Sequence, residues 1–443
     1  MGWWRTLTPA QRRILAAMTA ALLIVLALLG WAVYSTMQAV PAPTTTRPPT
    51  ATAAPTATAT SSPTAPPTPD ITTAGKLAQE VAAARGLVPR WETPLTLVDL
   101  HDLSVFLYQR YQAQPPFPLS AYGALETLGL CEGRPPTPDP VAQAEAAAAL
   151  FDPQEGTINL RRDWEGETSV WEEQLAYAYA LALTDQMAGL DRLRRSDLSL
   201  DQQLALEGFA HGEALYTLHR YLDAPISTLT PTLAPALFPA WRQEAPQASR
   251  LAQLPLEIGA AFATRAAEPL LDDALQERPP RSTAQLLHPQ DYSPSHPFYP
   301  FEPIYAALGP SWEVTLTETM GEALMREAIA SWGAPEAAEA LRGWDGDLLQ
   351  VWEDGEGHRV ALWQMAWLTG RDAANVAATL REIIPHHLVR GLIRDRTLAV
   401  GLPPGDWWAS TQGAAYLRRY ADQVWLVWGD DVPTVEQVAG SLP

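Results

Sequence analysis

Apolar residues recur at helical spacing through most of the chain beyond residue 70. "TTAGKLAQEVAAARGL", "TLVDLHDLSVFLYQRYQ" and "DPVAQAEAAAALF" carry the i, i+3, i+4 pattern of amphipathic helices. Thr96 stands at the N-cap position of the second. "VWEEQLAYAYALALTDQMAGL", Val170 to Leu190, is apolar nearly all round between Leu175 and Leu183, as a buried central helix would be. On it Glu173, Tyr177, Leu181 and Asp185 share one face at i, i+4 spacing. A long amphipathic helix, "LSLDQQLALEGFAHGEALYTLHRYL", follows Ser199, and further helices continue to "DAANVAATLREII". "GTINL" (Gly156 to Leu160) and "QVWLVWG" (Gln423 to Gly429) read as strands. The pattern predicts a helix-dominated α+β domain over residues 71–443, without internal repeats.

Upstream the pattern changes twice. Ile14 to Tyr34 is an uncharged apolar run, and about 20 such residues span a hydrocarbon core of about 30 Å. Arg5, Arg12 and Arg13 precede it, and the next basic residue is Arg47. That bias predicts a cytoplasmic segment at 1–13, a signal anchor at 14–34 and an extracytoplasmic remainder. Residues 35–70 are dominated by Pro, Thr and Ala and hold no bulky apolar cluster. They are expected to form a disordered tether that lifts the domain off the membrane.

The charge balance narrows the partners. Thirty basic residues against fifty acidic give a net charge of −20. A phosphate backbone needs clustered Lys and Arg, and the densest basic run, "RLRRSD" at 192–197, is flanked by acids. Nucleic acid is therefore excluded as the expected partner. The single Cys131 has no intrachain disulfide partner and reads as a small buried apolar residue. The 17 tryptophans are scattered rather than periodic, which favours core packing over a carbohydrate-stacking surface.

Two helices together resemble a family of zinc metallopeptidases from bacteria and archaea. That family carries His-Glu-x-x-His-Ala-Leu-Gln-Asp-Gln on one helix and Ala-Leu-x-Glu-Gly-Asp/Glu-Ala on the next. Here they correspond to "YAYALALTDQ" (Tyr177 to Gln186) and "GFAHGEA" (Gly208 to Ala214). "PPRSTAQLLHPQDY" (Pro279 to Tyr292) is close to the family's Pro-Pro-x-Ser-Thr-Glu-Gln-Ile-Leu-His-Pro. "RGWDGD" (Arg342 to Asp347) is similar to its Gly-Trp-Gly-Gly-Asp. "ARGL" at 84–87, "LGL" at 128–130, "LFDP" at 150–153 and "LTGRDAA" at 368–374 fall in matching order, so the resemblance covers about Gly75 to Ile384.

The resemblance implies a zincin-like scaffold, and the departures remove its chemistry. A zinc peptidase needs two imidazoles one helical turn apart, a carboxylate base beside the first, and a third ligand from elsewhere. Carried over residue by residue, the two histidines fall on Tyr177 and Leu181, the base on Ala178 and the third ligand on His211. The expectation is a pseudopeptidase without cofactor that binds a peptide, protein or envelope component. Its relict cleft comprises Tyr177, Ala178, Leu181, His211, Ser282, Thr283 and His288. Two alternatives stay open. One is an active metal-dependent hydrolase, with zinc held by a rearranged set: Glu207, His211 and His219, or His211 and Glu207 with Glu173. The other is a purely structural envelope protein. Ser282 and Gln285 also fit a capping box, and Asp345 and Asp347 in "GWDGD" read as a turn or, less simply, as Ca²⁺ ligands with Asp354 or Asp372.

Overall fold

The computed structural model describes residues 71–113, 119–131, 137–190, 198–241, 246–305, 308–335, 341–387, 393–394, 404–411 and 413–442. The expected anchor at 14–34, the tether at 35–70 and the basic run at 192–197 lie outside them. Among the described residues no helix is long and apolar enough to cross a membrane. The fold is α+β.

The first region is helical. It runs α1 (Ile71–Arg85), β1 (Leu95–Val98), α2 (Leu100–Ala113), α3 (Leu119–Thr127), β2 (Pro138–Asp139), α4 (Pro140–Ala146), β3 (Ala149–Asp152) and β4 (Thr157–Arg161). Then come α5 (Thr168–Ala188), α6 (Leu200–Leu222), α7 (Ile226–Leu237), β5 (Ala240–Trp241), α8 (Pro246–Arg265), α9 (Glu268–Gln276) and α10 (Thr283–Leu287). The second region carries β6 (Trp312–Glu318), α11 (Gly321–Ser331), β7 (Trp344–Asp354), β8 (Arg359–Trp367) and α12 (Gly370–His387). It closes with β9 (Ile393–Arg394), β10 (Asp406–Ser410), β11 (Gly413–Tyr420), β12 (Gln423–Gly429) and α13 (Val432–Gly440).

In the helical region a small sheet of order β1-β4-β3 lies against α5. β1 runs parallel to β4, and β3 antiparallel to it. "TLV" thus belongs to a strand, and Thr96 caps nothing. The helix begins at Leu100, and Asp99 takes over the cap, its side chain accepting from the Asp102 amide at 2.9 Å. β-branched Thr96 and Val98 favour the pleat, and pairing with β4 fixes it. "DPVAQAEAAAALF" likewise breaks after Ala146, because Leu150 and Phe151 join the sheet.

α5 matches its apolar pattern. Leu175 to Ala180 are all buried, in a core shared with α1, β3, β4, α6 and α7. Gly189 ends the helix in the left-handed region, at φ 68°, which costs glycine least. Asp185 holds the turn by accepting from the Leu190 amide at 2.9 Å. α6 begins with a complete capping box, Ser199 with Gln202. On another side it meets α8 where Gly212 faces Gly259. A Cβ on Gly212 would fall 2.7 Å from the Gly259 carbonyl oxygen, so only glycine permits this crossing.

The second region is built on a seven-stranded antiparallel sheet of order β6-β7-β8-β12-β11-β10-β9. Alternate residues feed two cores. Ala361, Trp363, Met365 and Trp367 of β8 join α11 and α12 on one face; Val360 and Leu362 join α13 on the other. With both faces covered, the strands read as continuous apolar runs rather than as alternation. "GWDGD" is therefore not a turn. It opens β7, with the register shift of a bulge between Trp344 and Gly346.

Candidate functional site

α5 and α6 pack side by side, and this brings Tyr177 to His211 across 34 positions of sequence. The tyrosine oxygen and His211 Nδ1 lie 2.6 Å apart. The rings are near-parallel, at 8° with centroids 6.3 Å apart, and Phe238 tilts against the imidazole at 5.5 Å. Tyr177 is 1 % exposed and His211 half-buried. Burial drives the Tyr177 hydroxyl well above its ordinary value, so it keeps its proton. The tautomer of His211 sets which of the two, the tyrosine oxygen or Nδ1, donates in the bond. Beside the pair, Ala178 is buried in the core and Leu181, one turn on, is half-buried. Glu173 accepts a hydrogen bond from the Thr232 hydroxyl of α7.

These residues do not fit zinc. Ala178 and Leu181 offer no donor atom and no base, and the two groups that do, Tyr177 and His211, are bonded to each other. The rearranged set fares no better. Among the described residues no group of three or more His, Cys, Asp or Glu is placed to hold a metal, so Glu207, His211 and His219 are not assembled into one. His219 Nδ1 instead meets the Ala224 carbonyl at 2.8 Å.

Ser282, Thr283 and His288 do not join Tyr177. They gather at the other end of α6, around Asp201, ten residues and about 15 Å of helix axis from His211. Asp201 Oδ1 accepts from the Thr283 amide at 2.9 Å and its hydroxyl at 2.6 Å. The same hydroxyl accepts from the Ala323 amide at 3.1 Å. His288 Nε2 lies 2.9 Å from Glu322 Oε1, and Arg326 Nη2 lies 2.6 Å from that oxygen. The capping box expected here is displaced: Ser282 accepts from Ala284, and Gln285 reaches back to the Arg281 amide at 2.7 Å. The residues expected in one cleft thus lie in two places, one centred on Tyr177 and one on Asp201.

The neighbouring blocks hold each other. Arg85 of "ARGL" donates to Glu213 of "HGEA" at 2.6 Å and to Asp272 at 2.7 Å, and its guanidinium lies 5.1 Å from the Tyr216 ring centre. Gln186 of "TDQ" accepts from the Arg90 amide and donates to the Trp91 carbonyl and the Thr93 hydroxyl. Asp347 of "GWDGD" accepts from Trp363 Nε1 at 2.7 Å and from the Gly321 and Met320 amides at 2.9 and 3.2 Å. It binds no calcium partner set: Asp345 meets His296 at 2.6 Å, Asp354 meets His358, and Asp372 meets Thr369. Asp201, Glu213 and Glu322 escaped the sequence reading because an acid near a helix N-terminus or on an amphipathic helix looks solvated. Glu213 lies inside the matching block "GFAHGEA", whereas Asp201 and Glu322 lie outside every matching block and carried no signal of their own.

A shallow depression lies off both centres, lined by Phe262, Leu270, Ala274, Arg278, Pro280 and Tyr292 among others, and none of the expected cleft residues lines it. A family model described as "Domain of unknown function (DUF8575)" matches residues 313–439, from β6 to α13. It covers the large sheet and stops short of α5 and α6. No curated protein and no solved structure matches the chain.

Proposed function

We propose that residues 71–443 form a zincin-like, extracytoplasmic domain carried on a signal anchor and a Pro/Thr tether. In this reading the domain has exchanged a metal centre for a tyrosine–histidine hydrogen bond. It acts as a pseudopeptidase, binding a peptide, protein or envelope component without cleaving it. One observation carries the reading. The positions to which the resemblance assigns the first and third zinc ligands, 177 and 211, meet across two helices at 2.6 Å. The base position, Ala178, has no group that takes a proton, so the catalytic step has lost its agent as well as its metal. Half-buried Leu181 and His211 leave the face able to touch a ligand.

The test is a random peptide library incubated with the full-length protein and read by mass spectrometry for both retention and cleavage. Retention of a peptide subset that is lost in Leu181→Arg, with no cleavage, supports the reading. Cleavage abolished by His211→Ala would overturn it in favour of an active hydrolase. Neither retention nor cleavage would leave the structural envelope protein.

A further inference from the structure

Three buried carboxylates crowd the N-terminal end of α6, with one arginine between them. Asp201 is 2 % exposed, Asp347 4 % and Glu322 0 %. Arg326 is committed to Glu322, with Nε at 2.9 Å and Nη2 at 2.6 Å, and His288 lies on the same oxygen. Asp201 receives only the neutral donors of Thr283 and Ser282, and Asp347 only those of Trp363, Met320 and Gly321. Glu318, half-buried on β6, is held by the Leu200 and Thr319 amides and adds no compensating charge. Asp291 pairs with Arg342 and lies 3.9 Å from His288 Nδ1. Gly321 is wedged between the two uncompensated acids. Its amide donates to Asp347, and a Cβ there would fall 1.8 Å from Asp201 Oδ1. Two like charges in so dry a place repel, and protonation is the available relief.

The cluster also sits where the two regions join. Asp201 comes from α6, Thr283 from α10, Glu322 from α11 and Asp347 from β7. We propose that Asp201 and Asp347 form a proton-dependent clasp between the helical region and the large sheet, closed while the pair holds protons and loosened as it ionises. Burial, with the nearby carboxylates, raises Asp201 to about 6 and Asp347 to about 7. Both folded values lie above the ordinary 3.8. The stability they contribute is therefore full below about pH 4 and lost as pH rises through about 7.

The test is amide protection in the full-length protein at pH 5 and pH 8, corrected for intrinsic exchange. Protection at Thr283, Met320 and Gly321 should fall at least about tenfold at pH 8, the equivalent of one pKa unit, while α5 amides hold. Asp201→Asn together with Asp347→Asn should remove most of that fall. Unchanged protection in the natural protein, or the same fall in the double variant, would overturn the clasp. If that variant does not fold, the comparison of natural protein at the two pH values still decides.

Discussion

The face of α6 that meets α5 and the rest of the same helix are built in opposite ways. On the rest, polar groups are paired and tied into neighbours: Glu213 to Arg85, Asp201 to Thr283. On the α5 face, the positions that the resemblance assigns to chemistry hold Ala, Leu and a single Tyr–His bond. His211 and Glu213 are two residues apart and point to different sides. The difference teaches that each buried acid on the rest of the helix holds a partner that its removal would strand, whereas the apolar side chains of Ala178 and Leu181 hold none.

The comparison breaks most easily at Glu213. Glu213→Ala leaves Arg85, whose side chain is 3 % exposed, with only the half-exposed Asp272. Breaking a buried pair from one side costs about 3–5 kcal/mol, and chemical denaturation of the full-length protein should show a loss of that order. A loss under about 1 kcal/mol would mean that the paired face is not what holds the helix.

A much smaller effect is expected across the α5 face. Tyr177→Phe removes one hydrogen bond, and half-buried His211 can turn to water for another partner. The cost should be about 0.5–1.5 kcal/mol, with a change in the His211 ring nitrogen shifts as Nδ1 loses the tyrosine oxygen. A loss as large as that of Glu213→Ala would show that this face too is a structural lock, and the contrast would fail.

α5 and α6 were legible because one apolar stripe or one apolar cylinder per helix is a local signal, and Ser199 with Gln202 marks a start. Of the large sheet only β12 was legible, as "QVWLVWG". β7 and β8 are covered on both faces, so Leu348 to Trp352 and Val360 to Trp367 lose the alternation that marks a strand. The bulge at Asp345 adds a turn-like "DG" where β7 opens. Of the candidate site, the positions Tyr177 and His211 were legible by resemblance, but their hydrogen bond depends on how two helices pack. Ser282, Thr283 and His288 were expected in one cleft with Tyr177, yet they are buried beside partners, Asp201 and Glu322, that lie 82 and 34 positions away. Distance in sequence hid the fact that they belong to a second centre.

The most direct measurement is zinc titration of the full-length protein beside a variant carrying Tyr177→His, Ala178→Glu, Leu181→His and His211→Glu together. If the scaffold is zincin-like and its metal centre has been exchanged, the natural protein takes up no stoichiometric zinc and the variant binds one ion per chain. Stoichiometric zinc in the natural protein, lost in His211→Ala, or a folded variant that binds none, would contradict the account.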